Sequence, residues 1–173
     1  MNENFNIQYY IGNKKKNEIS RVKTISQFEK ENNHDGYILI NIGDYEYGFF
    51  PLDDSSSGFE LLDIWFKILK EVYIKIKSNP KVFMDYWEEQ NEFFIFERED
   101  GNIRIQYLHK VLPVVNNQIQ NSFVYEVKLV AETVVLENYF FDTVKTKVNE
   151  FWDELSDLNP SLKNYFEKFK INS

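Results

Sequence analysis

Apolar and polar residues alternate from Phe5 to Ile11. This period of two predicts a strand, ended by Gly12-Asn13. Lys14-Lys15-Lys16 reads as a solvated loop. Thr24 and Gln27 have the spacing of a capping box that opens a short helix through Glu31, with Ile25 and Phe28 on its apolar side; a strand fits the same stretch. Tyr37 to Ile42 and Tyr45 to Phe50 are apolar runs split by Gly43-Asp44. That is a hairpin signal, because Gly supplies the positive φ of a tight turn, and Pro51 stops the second strand.

The Asp53-Asp54-Ser55-Ser56-Ser57-Gly58 loop offers N-cap residues for a helix from Phe59 to roughly Lys77. Leu62, Trp65, Leu69, Val72 and Ile76 form its apolar stripe, and Leu61, Ile64 and Ile68 widen it enough to pack against both a sheet and a second helix. Asp63–Lys67 and Glu71–Lys75 are favourably oriented i,i+4 pairs. Asn79-Pro80 breaks the helix, and a meander follows: Val82 to Trp87, Glu92 to Glu99 and Ile103 to His109, with turns at Gln90-Asn91 and Asp100-Gly101. Pro113 to Gln120 is a polar connection, and Phe123 to Val130 is a further strand that can run on to Val135. Phe140, Val144, Val148, Phe151 and Leu155 mark a helix from Leu136 to about Leu155. Asn159-Pro160 reads as the N-cap and first position of a last helix bearing Leu162, Tyr165, Phe166 and Phe169. The predicted class is α+β. It has one antiparallel sheet of about six or seven strands, built from hairpins and a meander, with a central helix and two C-terminal helices packed on it. Residues 1–173 form a single domain, with 137–173 its helical C-terminal part.

Composition narrows the chemistry. The chain is 43% hydrophobic and 17% aromatic and has no cysteine, which excludes a disulfide scaffold, a thiol nucleophile and Cys-based zinc. With His34 and His109 the only histidines, a His-rich metal centre is excluded as well. Nineteen Asn, 17 Lys and 16 Ile against three Arg and the lone Ala131 point to an AT-rich bacterial, phage or plasmid genome, so codon usage contributes to the aromatic surplus. Neither a signal peptide nor a membrane-spanning run of ~18 apolar residues is visible, so the expected location is the cytoplasm.

No nucleophile elbow, zinc-helix motif, P-loop or dinucleotide fingerprint is present, and the six glycines, five at turns or loops and Gly48 alone inside a strand, are not clustered as a phosphate cradle. Both histidines lack an orienting partner in sequence and read as surface or structural residues. Glu88 and Glu89, adjacent at a strand end, point to opposite faces. Asp53 and Asp54 lack the ligand spacing of a calcium loop and read as a solvated loop. The expectation is no enzyme, no metal and no cofactor.

Charge is the informative feature. The net charge is −8, and it is uneven: residues 1–30 carry +3, residues 31–100 carry −10 and residues 101–173 carry −1. A nucleic-acid backbone needs the opposite sign, so direct nucleic-acid binding is not expected. Seven acids and only Arg98 lie between Asp85 and Asp100, with Tyr45, Tyr47, Tyr86 and Trp87 interleaved among the acids of the middle segment. Two readings compete: a solvated face that keeps the protein soluble, or a docking surface for a basic partner with aromatic anchors.

Several stretches carry a resemblance: Tyr86-Trp87-Glu88-Glu89 leading into Phe93-Phe94-Ile95-Phe96, then Asp100-Gly101-Asn102-Ile103-Arg104-Ile105, and finally Phe151-Trp152-Asp153-Glu154-Leu155 with Leu158-Asn159-Pro160. Covering under a third of a small, acidic, cysteine-free chain, they resemble the immunity proteins of bacterial polymorphic toxin systems. The resemblance implies stoichiometric inhibition of a cognate toxin domain, such as a nuclease with a basic groove. The partner-binding residues expected from the charge map are Asp53, Asp54, Glu88, Glu89, Glu97, Glu99 and Asp100 for charge, with Tyr45, Tyr47 and Trp87 as anchors. The alternatives are a phage- or plasmid-encoded inhibitor of a host defence nuclease, and an enzyme with an unrecognised small-molecule pocket. The chain is expected to act as a monomer or a homodimer.

Overall fold

A computed structural model describes residues 4–30, 35–48, 60–85, 91–111 and 126–172. The expectations for His34, the Asp53–Gly58 loop, Trp87, Glu88, Glu89 and the 113–120 connection fall outside the described residues. The class is α+β with antiparallel strands, as the patterning implies, but the strands form two four-stranded sheets instead of one sheet of six or seven. Sheet 1 holds β1 (Phe5–Tyr10), β2 (Asp35–Ile42) and β3 (Tyr45–Gly48) in that order, with the short β4 (Glu60–Leu61) paired to the start of β2. Sheet 2 is the meander β5 (Lys81–Asp85), β6 (Glu92–Glu99), β7 (Asn102–Val111) and β8 (Glu126–Leu136).

The helices are α1 (Asn13–Arg21), α2 (Ile25–Lys30), α3 (Leu62–Lys75), α4 (Glu137–Leu158) and α5 (Lys163–Phe166), the last flanked by 3₁₀ turns. The α4 stripe foreseen from spacing, Phe140 through Leu155, is fully buried. It unites the molecule. Phe140 lies 5.6 Å from both Phe5 of sheet 1 and Phe96 of sheet 2, and Phe151 stacks on Phe66 of α3 at 4.4 Å. One hydrophobic core therefore runs from sheet 1 through the α3–α4 pair to the inner face of sheet 2.

Local chemistry accounts for most boundaries. Gly43 takes φ +62 at the β2–β3 turn, and Asp100 and Gly101 take φ +47 and +77 at the β6–β7 turn, as a primed hairpin turn requires. Gly48 has φ +84, and a Cβ there would lie 2.1 Å from the Ile38 carbonyl oxygen, so only glycine closes the end of β3. Thr24 Oγ1 accepts from the Gln27 amide while Gln27 Oε1 accepts from the Lys23 amide, which realises the helical option for α2. Both predicted pairs on α3 form, Lys67 to Asp63 at 2.6 Å and Lys75 to Glu71 at 2.8 Å.

Three local expectations differ from the structure. Lys14-Lys15-Lys16 is helical, not a loop. Lysine is a good helix former, Ile19 anchors the inner side of α1, and Lys15 and Lys16 pair with Glu18 and Glu154. Helix α3 starts at Leu62 with no side-chain cap, because β4 precedes it directly. Asn159 does not cap the helix after it. Its buried side chain turns back and donates to the carbonyls of Ile19 (2.8 Å) and Val22 (2.9 Å) at the end of α1. The aromatics beyond it pack on the body, Phe166 against Phe28 at 5.1 Å and Phe169 against Trp152 at 4.7 Å.

Candidate protein-binding surface

In an antiparallel sheet that packs on one side, alternate residues face the core and solvent. Sheet 1 follows this rule. Phe5, Ile7, Ile38, Ile40, Ile42 and Tyr47 share the inner face, while Asn6, Asn41 and Glu46 form a polar row on the outer face, with Gln8 beside them. Sheet 2 departs from it. Its inner face is apolar, through Val82, Met84, Phe94, Phe96, Ile103, Ile105, Tyr107 and Val135. Its outer face carries apolar residues as well. Register aligns Asp85, Phe93, Leu108 and Leu129 in one outer row, and Phe83, Ile95, Gln106 and Glu132 in the next. Lys81, Glu97, Arg104 and Val134 form a third row towards the β6–β7 turn.

Exposure on this face is concentrated at its edges. Phe83 of β5 is 62% exposed, and on β8 Val127, Leu129, Val134 and Leu136 are 47–55% exposed, whereas the central Ile95 and Leu108 are buried. Every outer-facing residue of β8 except Glu132 is thus a half-exposed aliphatic. A bulge between Tyr107 and Leu108 places one extra β8 residue, Val130, in the ladder, which lets Leu129 and Glu132 share a face.

The β6–β7 end carries the charge. Glu97 and Glu99 lie there on the outer face, joined from β8 by Glu132. Two cations answer these three carboxylates: Lys81 lies 3.5 Å from Glu97, and Arg104 lies 3.1 Å from Glu99 and 3.7 Å from Glu132. Asp100 follows in the turn and lines a groove with Lys77, Arg98 and Glu137. The hydrogen bond that Arg104 donates to Glu99, followed by the charges of Glu99 and Glu132, raises the pKa of the Arg104 guanidinium above its ordinary value. Gln106 donates to the second face of the network, reaching Glu132 at 2.6 Å.

The structure separates the predicted anchors from the predicted acids. Tyr45 and Tyr47 project from the inner side of sheet 1 and meet Tyr107 of sheet 2 at 5.4 and 5.2 Å. Tyr47 is buried and also packs on Trp65 and Phe94, so it is a core residue and not a surface anchor. Tyr45 is half-buried against the same cluster. Glu97 and Glu99 lie beyond the sheet from both. The reason is parity: Tyr45 and Tyr47 share a face with Ile42 and Ile40, which point into the core.

The missed apolar residues did leave a signal. Phe93-Phe94-Ile95-Phe96 and Val134-Val135-Leu136 are unbroken apolar runs inside strands, and such runs require apolar side chains on both faces.

Titratable groups also meet elsewhere among the described residues. Nε2 of His109 sits 2.7 Å from the Tyr107 hydroxyl and 3.0 Å from Glu92. Burial, then the hydrogen bond to Glu92, pushes the Tyr107 phenol well above the usual tyrosine value. A groove of about 530 Å³ beside α4 is lined by Tyr9, Glu150, Asp153, Glu154, Asp157 and Leu158. Lys147, Lys170 and Lys16 already pair with Glu150, Asp153 and Glu154 there. Among the described residues no group of three or more His, Asp or Glu side chains is placed to hold a metal ion, and no helix is long and apolar enough to cross a membrane.

No protein-family model, curated protein or solved structure matches the chain.

Proposed function

We propose that this protein is a non-enzymatic inhibitor of the immunity type, which neutralises a basic toxin domain in the cytoplasm by stoichiometric binding. The observation that carries this reading is the acidic end of sheet 2, where Lys81 and Arg104 pair with the three carboxylates Glu97, Glu99 and Glu132, and Asp100 adds a fourth at the turn. Glu99 and Asp100 are exposed and sit on a tight turn that fixes their positions before any partner arrives. Preset charge of one sign accelerates encounter with a partner of the other sign and selects against acidic competitors. Inhibition needs no reacting groups, only an interface that covers the partner's working surface.

The test is binding of the purified protein to the product of the adjacent gene, with rescue of growth on co-expression. A one-to-one complex is expected whose affinity falls as salt rises. The E99K/D100N variant is expected to bind more slowly and about tenfold more weakly. Asn at position 100 keeps a side chain that tolerates the left-handed backbone. Absence of a complex, or a complex indifferent to both salt and this variant, refutes the proposal.

A further inference from the structure

We infer that the outer face of sheet 2, along β8, is the apolar centre of that interface and receives aliphatic or aromatic side chains from the basic protein partner. The inference rests on the reading above and adds where the contact lies and what fills it. Sheet 1 is the internal comparison: on the outer face near its β2–β3 turn the same chain keeps a polar row of Asn6, Asn41 and Glu46, and farther along that face Tyr37 is buried. On β8 it instead leaves Val127, Leu129, Val134 and Leu136 half exposed on one face. Contiguous exposed apolar surface rimmed by polar groups is the hallmark of a protein-binding patch, since such interfaces have a dry apolar centre and a polar rim. Here Glu132 interrupts the aliphatic stripe, and Glu97, Glu99 and Asp100 bound it at the β6–β7 end.

Charge decides the occupant. A second copy would bring a chain of net charge −8 against another of −8. Lys81 and Arg104 are each already engaged by carboxylates of their own chain, so they have little left to offer a copy's acids. An anionic membrane or a nucleic acid is repelled in the same way. A basic protein surface with apolar side chains among its cations satisfies both the stripe and its rim.

The test uses the full-length protein and the purified product of the adjacent gene. Leu129→Thr and Val134→Thr leave a β-branched side chain suited to a strand at each position while removing apolar surface, and Gln8→Thr on the outer face of sheet 1 is the control. Circular dichroism and the urea midpoint establish that each variant is folded. The double variant L129T/V134T is expected to bind about tenfold or more weakly with an unchanged salt dependence, and Q8T to bind as wild type. If L129T/V134T binds within about twofold of wild type while E99K/D100N is weakened, this inference falls and the proposed function stands. Absence of any complex overturns both. A homodimer in light scattering that L129T/V134T dissolves overturns the choice of occupant.

Discussion

Asn159 gives the sharpest test of how the fold is tied together. Its side chain is 3% exposed, and its Nδ2 supplies both donors to α1, to the Ile19 carbonyl at 2.8 Å and the Val22 carbonyl at 2.9 Å. In Asn159→Ala both bonds vanish. Each buried hydrogen bond contributes ~0.5–1.5 kcal/mol net, and a carbonyl left without a partner costs ~1–3 kcal/mol. The Ile19 carbonyl keeps the Val22 amide at 3.2 Å, so the loss concentrates on the Val22 carbonyl and sums to about 2–3 kcal/mol. With a urea m-value of about 2 kcal/mol/M, the unfolding midpoint should fall by about 1–1.5 M, and the melting temperature by about 5–10 °C. Asn159→Asp has the same shape but turns the donors into a carboxylate facing two carbonyl oxygens. It should be worse than Ala at neutral pH and recover part of the loss on acidification, as the raised aspartate pKa lets the carboxyl protonate and donate again. Denaturant melts of the two variants at pH 7 and pH 5 decide the matter. An N159A protein within about 0.5 kcal/mol of wild type, or an N159D protein no less stable than N159A at pH 7, refutes the reasoning.

Two further outcomes are expected. Gly48→Ala should destabilise severely or abolish soluble expression, because its Cβ would meet the Ile38 carbonyl at 2.1 Å; Gly101→Ala, with nothing within 4 Å, should cost only the ~1–2 kcal/mol of a left-handed alanine. Thermal melts compare the two, and equal losses would refute the steric argument. In alkaline titration followed by tyrosinate absorbance, Tyr9, Tyr107 and Tyr165 should stay protonated beyond the tyrosine value of about 10, held up first by burial and then by Glu154, Glu92 and Glu29 respectively. Because the unfolded chain ionises first, stability present below pH ~10 should decline as pH rises above it. Simultaneous titration of all eleven tyrosines without unfolding would contradict this.

Much of the fold is legible in the chain because strand and helix periods act locally. The α4 stripe, the β6–β7 turn and the Thr24–Gln27 box follow from residues within a few positions of one another. Division into two sheets is not local. It depends on α4 packing against both strand sets at once, which no hairpin signal encodes. The site was half legible for the same reason. Acid clustering survives in Glu97, Glu99 and Asp100 because a hairpin turn holds sequence neighbours together. The aromatic character of Tyr47 suits an anchor and a core equally, and only the register against Ile40 assigns its face. Asn159-Pro160 has the composition of a helix start, yet the carbonyls Asn159 serves lie some 140 residues upstream, beyond any local rule.

That distance has a consequence for how the protein is made. Phe5 and Tyr9 are closed over by Phe140 and Phe151, the backbone carbonyl of Phe5 accepts from the Tyr139 hydroxyl, and Lys16 pairs with Glu154. At ~5–20 residues per second, the ribosome delivers the covering helix roughly 7–30 s after the first strand. Until then the antiparallel β1–β2 pair lacks its α4 cover, and the apolar surface that α3 leaves open is available to chaperones or to other nascent chains. The helix that covers β1 is thus made some 130 residues after it, and this part of the core stays open while the intervening chain is synthesised.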